Sequence, residues 1–278
     1  MTHKSAPTLK IEHLQAGYGK HLVLRDVSFQ ADGGMLTALL GANGCGKTTL
    51  LKVLCRQLPY TGSCLFGGTP LTALSHRALA RQVSYIPQRS GIGISLPVLE
   101  VVLMGFNPVL GVLERPSAAQ KQRALEALAA VGMEARAAED YQRLSEGQKQ
   151  LCILARTMVE DARLLLMDEP ESSLDFHHRH RIMRLLSGLV TDTGKACLVT
   201  LHDPALALAY CQRLILLKDG ACIAVLHPGT DSLSRMEAAL SEIYGPVRLA
   251  RLEGQLVMLP ASDSIGGAYA FNDPHCPS

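Results

Sequence analysis

The chain has 278 residues, of which 47% are hydrophobic and 19% charged, and its formal net charge is +2. This composition is typical of a folded α/β protein, and the small net charge excludes a strongly basic surface, so we expect no nucleic-acid partner. No apolar run approaches the ~20 residues that cross a bilayer, and residues 1–7 contain no apolar signal-peptide core. We therefore expect a soluble protein, or one held at a membrane only through a partner.

The N-terminal part of the chain predicts short strands around one helix. In order, we predict strands at 9–14 and 22–29 with a turn at 17–20 between them, a strand at 35–40, a helix at 50–54, a strand at 62–66, a helix at 75–80 and a strand at 83–86. Residues 89–160 then become helical in pattern, with helices at 98–104, at 120–131 and after Ser145. This change predicts a helical insertion within an α/β domain.

Strands and helices alternate again in the last part of the chain. In order, we predict a strand at 164–168, a helix at 178–189, a strand at 196–200, a helix at 204–210, a strand at 214–217, a hairpin turn at Asp219-Gly220, a helix at 233–244 and a hairpin at 247–259. Such alternation predicts a parallel sheet with helices on both faces. Residues 1–7 and 261–278 are predicted to be flexible tails.

One stretch between a predicted strand and a predicted helix fits the P-loop pattern of Gly, four residues and Gly-Lys-Ser/Thr. It reads Gly41, Ala42, Asn43, Gly44, Cys45, Gly46, Lys47, Thr48 and Thr49. The glycines let backbone N–H groups turn inward toward a phosphate at the helix N-terminus. Lys47 would reach the terminal phosphates, and Thr48 would offer its hydroxyl to Mg²⁺. The alternative interpretation is a Gly-rich turn that precedes a lysine.

Two carboxylates follow the apolar run at 164–167. Asp168, at the carboxyl end of that predicted strand, is suited to holding Mg²⁺ directly or through water. Glu169 comes next, where a carboxylate can orient and activate an attacking water. Two acidic residues that cap a strand edge are the simpler alternative.

A second anion-binding geometry is predicted at Leu144-Ser145-Glu146-Gly147-Gln148, where a Ser hydroxyl and free N–H groups meet at a helix N-terminus. This site cannot easily share the phosphate held by the P-loop, but it could contact the nucleotide of a second copy in a dimer. The alternative is that Ser145 is a simple N-cap.

Together these motifs resemble the nucleotide-binding subunit of an ABC transporter over residues 8–260. The resemblance implies that ATP and Mg²⁺ bind, with Gln88 and Asp168 joining Thr48 at the Mg²⁺. It implies further that Tyr18 stacks on adenine, that Gln88 contacts the attacking water and senses the permease, that Glu169 is the catalytic base, and that His202 contacts the γ-phosphate. Ser145, Gly147 and Gln148 match the family signature, and Ser173-Leu174-Asp175 matches the D-loop.

The same resemblance implies the architecture and the assembly. The fold would be an α/β P-loop NTPase (RecA-like) core at 8–88 and 161–244, with an N-terminal antiparallel β portion, an inserted helical subdomain at 89–160 and a C-terminal hairpin at 245–260. Two copies would stack head to tail around two ATP molecules and bind transmembrane permease subunits at the cytoplasmic face of the inner membrane. Closure on ATP and opening after hydrolysis would drive transport.

Three segments resemble the subfamily that imports iron–siderophores, haem and cobalamin: 71–88, 102–108 and the hairpin after Tyr244. Such importers receive their substrate from a binding protein. Molybdate importers, exporters and the ABC ATPases of DNA repair or translation remain alternatives.

The sequence departs from the family pattern at four positions: Cys45, Glu146, Glu171 and Ser173. The carboxylate of Glu146 is expected to approach the phosphates bound by the partner copy. Cys45 lies near a helix N-terminus and Lys47, both of which favour a thiolate, so we expect its thiol to be reactive if the loop is open without nucleotide. His177, His178 and His180 are interpreted as part of a polar, basic helix face rather than as a metal site.

Overall fold

A computed structural model describes residues 8–88, 91–111, 113–172 and 174–261. The predicted D-loop residue Ser173, the predicted tail at 1–7 and all of the predicted tail at 261–278 except Ala261 lie outside these residues. None of the helices in the described segments combines the length and the apolarity that crossing a bilayer requires.

The described chain alternates strands and helices in the predicted order. The elements before the helical insertion are β1 (Thr8–Tyr18), β2 (His21–Asp32), β3 (Leu36–Leu40), α1 (Lys47–Leu54), β4 (Tyr60–Phe66), β5 (Thr69–Pro70), α2 (His76–Gln82) and β6 (Val83–Ile86). Three helices follow, α3 (Val98–Leu103), α4 (Ala118–Ala130) and α5 (Glu146–Val159). The remaining elements are β7 (Leu164–Asp168), α6 (Phe176–Thr193), β8 (Ala196–Thr200), α7 (Pro204–Tyr210), β9 (Arg213–Lys218), β10 (Ala221–Leu226), α8 (Leu233–Tyr244), β11 (Val247–Leu252) and β12 (Gln255–Pro260).

One large sheet carries most of the strands, in the order β5-β4-β1-β2-β10-β9-β3-β8-β7-β6. Its β9-β3-β8-β7-β6 half is parallel, whereas β1, β2 and β4 pair antiparallel. The predicted parallel sheet with an N-terminal antiparallel portion is therefore confirmed. Because parallel strands present their carboxyl ends at one edge, the loops after β3, β7 and β8 become neighbours.

The core lies on both faces of this sheet, as predicted. Side chains of β3 alternate between the faces, so that Leu36, Ala38 and Leu40 pack in one apolar cluster and Leu39 packs in the other. The first cluster includes α3 to α8, and the second holds α1 against β1, β2 and β4. All five residues of β3 are buried, which explains why its sequence is an uninterrupted run rather than a polar–apolar alternation.

The turn predicted at 17–20 is shorter in the structure. Gly17 pairs with Leu22 and Tyr18 pairs with His21 across β1 and β2. The ladder therefore continues through Tyr18, and only Gly19 and Lys20 form the turn. Gly19 adopts a φ of 58°, a conformation that glycine reaches at no steric cost. Helix α6 also begins earlier than predicted, because Asp175 caps it and Phe176 is already helical.

Candidate active site

The P-loop, residues 41–48, connects β3 to α1 and shapes an anion site. Gly46 precedes α1 with a φ of 111°, and a Cβ at that position would lie 2.5 Å from Leu24 Cδ2. Only glycine fits this combination of conformation and close packing. The first N–H groups of α1 have no partners within the helix, so this end of the helix is suited to binding phosphate.

Lys47 lies in the bend of this loop and is 5% exposed. Its Nζ donates hydrogen bonds to the carbonyl oxygens of Gly41, at 2.8 Å, and Ala42, at 3.3 Å. Both acceptors are neutral, so the positive charge of Lys47 remains available to a phosphate group.

The carboxyl end of β7 carries Asp168 and Glu169 on a bent backbone. Asp168 is 5% exposed, and its Oδ1 accepts a hydrogen bond from Thr200 Oγ1 at 2.8 Å. The backbone N–H of Glu169 donates to the same Thr200 oxygen at 2.8 Å. Glu169 has a φ of 49°, which is unusual for a residue with a side chain and concentrates at functional sites. The strand therefore ends in a sharp bend that Thr200 stabilises.

Both carboxylate oxygens of Glu169 are held by side chains from other loops. Gln88 Nε2 donates to Oε2 at 2.7 Å, and also to Ser172 Oγ at 3.3 Å. His202 Nε2 lies 2.6 Å from Oε1. Because an ionised carboxylate only accepts hydrogen bonds, His202 Nε2 carries the proton in this contact. The three residues predicted to be catalytic thus form one hydrogen-bonded group.

This group faces the P-loop across a cavity of about 140 Å³. The cavity is lined by Asn43, Gly44, Gly46, Lys47, Thr48, Thr49 and Glu169. Tyr18 stands apart from it at the end of β1, where it is 46% exposed and has Lys52 Nζ 5.9 Å from its ring centroid. The structure therefore brings the predicted phosphate loop and the predicted base together in one chain.

The predicted signature residues form a second group, at the start of α5. Ser145 Oγ accepts from the N–H of Gln148 at 3.3 Å, and Gln148 Oε1 accepts from the N–H of Ser145 at 3.0 Å. This reciprocal pair is a capping box. Glu146 is exposed and forms an ion pair with Lys149 at 2.9 Å, so a local cation already balances part of its charge.

The D-loop residue Asp175 joins this second group through His178. The Asp175 carboxylate accepts from the backbone N–H of His178 at 2.9 Å and contacts its Nδ1 at 2.9 Å. The backbone hydrogen bond from His178 is the main cause that lowers the Asp175 pKa. The His178 ring in turn lies against Gly147, since a Cβ on Gly147 would be 2.8 Å from His178 Cδ2. His180 has another partner, the Tyr210 hydroxyl, at 2.9 Å.

The expectation that its surroundings favour a thiolate at Cys45 is wrong, because the pKa of the thiol is raised rather than lowered. Cys45 is 7% exposed, and burial raises the pKa of its thiol more than the nearby Lys47 lowers it. Proximity to a helix N-terminus and a cation was visible in the sequence, but the close packing around the thiol was not.

Sequence reasoning missed three residues that support the site. Thr200 joins Asp168 to Glu169, Ser172 contacts Gln88, and Tyr85 forms a hydrogen bond with Asp168. Burial, followed by the Asp168 charge, raises the pKa of Tyr85 to about 12. The sequence carried no motif for these residues, because each acts through contacts between separate strands.

Comparison with known proteins identifies the family of this chain. A family model described as ABC transporter matches residues 24–172. The hemin import ATP-binding protein HmuV of Pseudomonas putida is 38% identical over 243 residues, which cover 85% of this chain and 92% of that protein. The zinc transport system ATP-binding protein TroB of Treponema pallidum is 35% identical over 244 residues, covering 87% and 88%.

Among solved structures, a chain described as a metal-chelate type ABC transporter in an inward-facing conformation has the same fold. Its TM-score is 0.78 at 24% identity, and the match covers 93% of this chain and 99% of that chain. The fold, the family model and the relatives agree. The chain therefore belongs to the ABC transporter family, as a nucleotide-binding subunit that hydrolyses ATP.

Proposed function

We propose that this protein powers an ABC importer and that Glu169 activates the water that attacks ATP. The observation that carries the proposal is the position of the Glu169 carboxylate, which Gln88 and His202 hold at 2.7 and 2.6 Å beside a cavity shared with the P-loop. A fixed carboxylate at that position can accept the proton of a water molecule as its oxygen attacks the γ-phosphorus.

Other residues of the group have complementary roles in this proposal. Lys47 leaves its carbonyl partners to stabilise negative charge on the phosphates, and the N-terminus of α1 binds the same oxygens. His202 keeps the Glu169 carboxylate oriented and contacts the γ-phosphate, and Gln88 contacts the attacking water. Tyr18, with its ring partly exposed, stacks on adenine.

The donor set also fits Mg²⁺. The Asp168 carboxylate, the Thr48 hydroxyl and the Gln88 amide are oxygen ligands, which Mg²⁺ prefers, directly or through its own waters. When bound, Mg²⁺ would neutralise charge on the phosphate oxygens and fix their orientation.

The presence of two groups of site residues supports a proposal for the assembly. We propose that Ser145, Gly147, Gln148 and Asp175 contact the nucleotide held by a second copy, in a head-to-tail homodimer. The helical subdomain at 89–160 and Gln88 then face the permease, while residues 8–88 and 161–244 form the α/β core and 245–260 the C-terminal hairpin. This places the subunit at the cytoplasmic face of the inner membrane.

For the transported substrate we propose a metal chelate such as iron–siderophore, haem or cobalamin, passed to the permease by a binding protein. The HmuV relative, named for hemin import, supports this class. The TroB relative, named for zinc transport, favours a metal ion as the second candidate. The test uses liposomes that contain this subunit and its permease, with ATP inside and the binding protein outside. Uptake of haem, but not of zinc, would favour the metal chelate.

The role of Glu169 is tested by Glu169→Gln, which keeps the shape and one hydrogen-bond acceptor but cannot take the proton of water. We expect turnover to fall by about 100-fold or more, while the affinity for ATP measured by fluorescence titration is retained. Lys47→Ala is the matched control, because it should weaken ATP binding as well as hydrolysis. Turnover at the wild-type rate in Glu169→Gln would assign water activation to another group, with His202 the next candidate.

A further inference from the structure

Glu171 is a buried carboxylate beneath the active site that the mechanism above does not use. It follows β7 by three residues and is 4% exposed. Burial raises the pKa of its carboxyl, opposed mainly by a hydrogen bond from the backbone of His202. A carboxylate is costly to bury unless its oxygens are paired, so its presence here calls for a compensating role.

The Glu171 side chain reaches the loop after β8. Its Oε1 accepts a hydrogen bond from the backbone N–H of His202 at 3.0 Å. Its Oε2 is buried without a hydrogen-bond partner among the described residues. A shorter or apolar side chain would avoid that unpaired oxygen but would leave the His202 N–H without its acceptor.

The same loop after β7 thus holds His202 at two points. Glu171 binds its backbone, and Glu169 binds its ring at 2.6 Å. With the backbone of residue 202 fixed, the direction from which the imidazole approaches Glu169 is set. Without that bond the loop after β8 could move, and the contact between Nε2 and the carboxylate would be made only part of the time.

We propose that Glu171 is a positioning residue for ATP hydrolysis, which fixes the His202 backbone so that the imidazole N–H stays on the Glu169 carboxylate. This inference rests on the proposed roles of Glu169 and His202. It assigns a purpose to one of the positions at which the chain departs from the family pattern, where a Thr or Ser is usual.

The first test compares three substitutions in the full-length chain. Glu171→Thr and Glu171→Leu both remove the acceptor for the His202 N–H, and we expect kcat to fall on the order of 10-fold from misplacement of the group. The KM for ATP should change little, because Glu171 does not line the cavity beside the P-loop. Glu171→Gln keeps an oxygen acceptor of the same reach and should restore most of the rate. Thermal unfolding identifies any variant that fails to fold. If Glu171→Leu does not fold, the comparison rests on Glu171→Thr and Glu171→Gln.

A matched control comes from another buried carboxylate. Burial also raises the pKa of Glu160, which lies at the end of α5 and forms an ion pair with Arg156 at 3.4 Å. Glu160→Gln should leave kcat at the wild-type value, although it changes a carboxylate of similar burial. An equal loss of kcat in Glu160→Gln and Glu171→Thr would overturn the positioning role.

The second test separates this inference from the proposed function. In a His202→Ala background, measured by single-turnover hydrolysis, Glu171→Thr should cause no further loss, because Glu171 acts through His202. A loss of the same factor in both backgrounds would show that Glu171 acts independently of His202, and would overturn the inference. Wild-type hydrolysis by His202→Ala would instead refute the proposed role of His202. If the His202→Ala variant were slow but the Glu171→Thr variant fully active, the inference about Glu171 would be refuted and the proposed role of His202 would stand.

Discussion

Lys47 and Glu169 face one cavity with opposite charges, yet each is held by other groups. Lys47 bonds two backbone carbonyls, and Glu169 bonds an amide and an imidazole. A direct ion pair between them would offset both charges in a partly buried site. These partners orient both side chains, and the neutral carbonyls leave the charge of Lys47 for the substrate, which suits a site that must bind phosphate and activate water together.

Cys45 provides a prediction at the residue scale. The thiol lines a cavity of about 500 Å³ beside the P-loop, but burial raises its pKa. Because the thiolate is the reactive form, we expect maleimide to label Cys45 more slowly than free glutathione at pH 7. Labelling should accelerate as the pH rises toward the elevated pKa.

The measurement is the rate of alkylation of the Cys45 peptide, followed by mass spectrometry across a pH series. Cys197, which is fully buried in β8, is the internal control and should stay unlabelled in the folded protein. If Cys45 reacted as fast as glutathione at pH 7, the P-loop in solution would be more open than the structure describes.

Helix starts organise both groups of site residues at the element scale. The start of α1 forms the phosphate site, and the starts of α5 and α6 meet where the His178 ring lies against Gly147. The close approach of His178 therefore restricts position 147 to glycine, independently of any contact that Gly147 makes with nucleotide. Gly188, within α6, has no such restriction, because nothing lies within 4 Å of a hypothetical Cβ at that position.

The two glycines give a matched pair of substitutions. Gly147→Ala should force His178 and the start of α5 apart, and overpacking of this kind costs roughly 1–3 kcal/mol. Gly188→Ala should instead stabilise the protein by about 0.5–1 kcal/mol, because alanine is the better helix former. Urea unfolding of both variants measures the difference.

Rescue tests the cause of the Gly147 effect. In a His178→Ala background the added methyl group has space, so Gly147→Ala should lose most of its destabilising effect there. An undiminished loss in that background would locate the clash elsewhere.

The site could be predicted only in part from the sequence. What separates the residues that could be predicted from those that could not is whether they belong to a local sequence pattern. The P-loop and the Asp168-Glu169 pair are local patterns, in which a strand, a turn and a helix follow one another along the chain. Their meeting depends on the strand order β3-β8-β7, which places the loops carrying Lys47, His202 and Glu169 side by side. The order of strands is a property of the whole sheet, so local sequence patterns could not show that Thr200 bonds Asp168 or that Glu171 accepts from the His202 backbone.

At the scale of the whole molecule, one chain carries two half-sites, that is, two groups of predicted nucleotide-binding residues. The cavity lined by Lys47 and Glu169 lies at the carboxyl edge of the sheet, whereas Ser145, Gly147 and Asp175 form a separate group around the starts of α5 and α6. None of the latter residues lines that cavity. In the proposed head-to-tail dimer, the second copy brings its own second half-site to the nucleotide bound at this cavity.

The dimer is tested with Glu169→Gln, in which hydrolysis is blocked but the nucleotide contacts are intact. With ATP and Mg²⁺ we expect this variant to elute from size exclusion as a dimer, because contacts from both chains to the bound nucleotide hold the closed state and hydrolysis no longer weakens them. Omitting Mg²⁺, replacing ATP by ADP or adding Lys47→Ala should each return it to a monomer. A monomer at saturating ATP and Mg²⁺ would contradict the sandwich for the isolated subunit. Closure would then depend on the permease, which could supply through its contacts with the helical subdomain the free energy that the two half-sites alone do not provide.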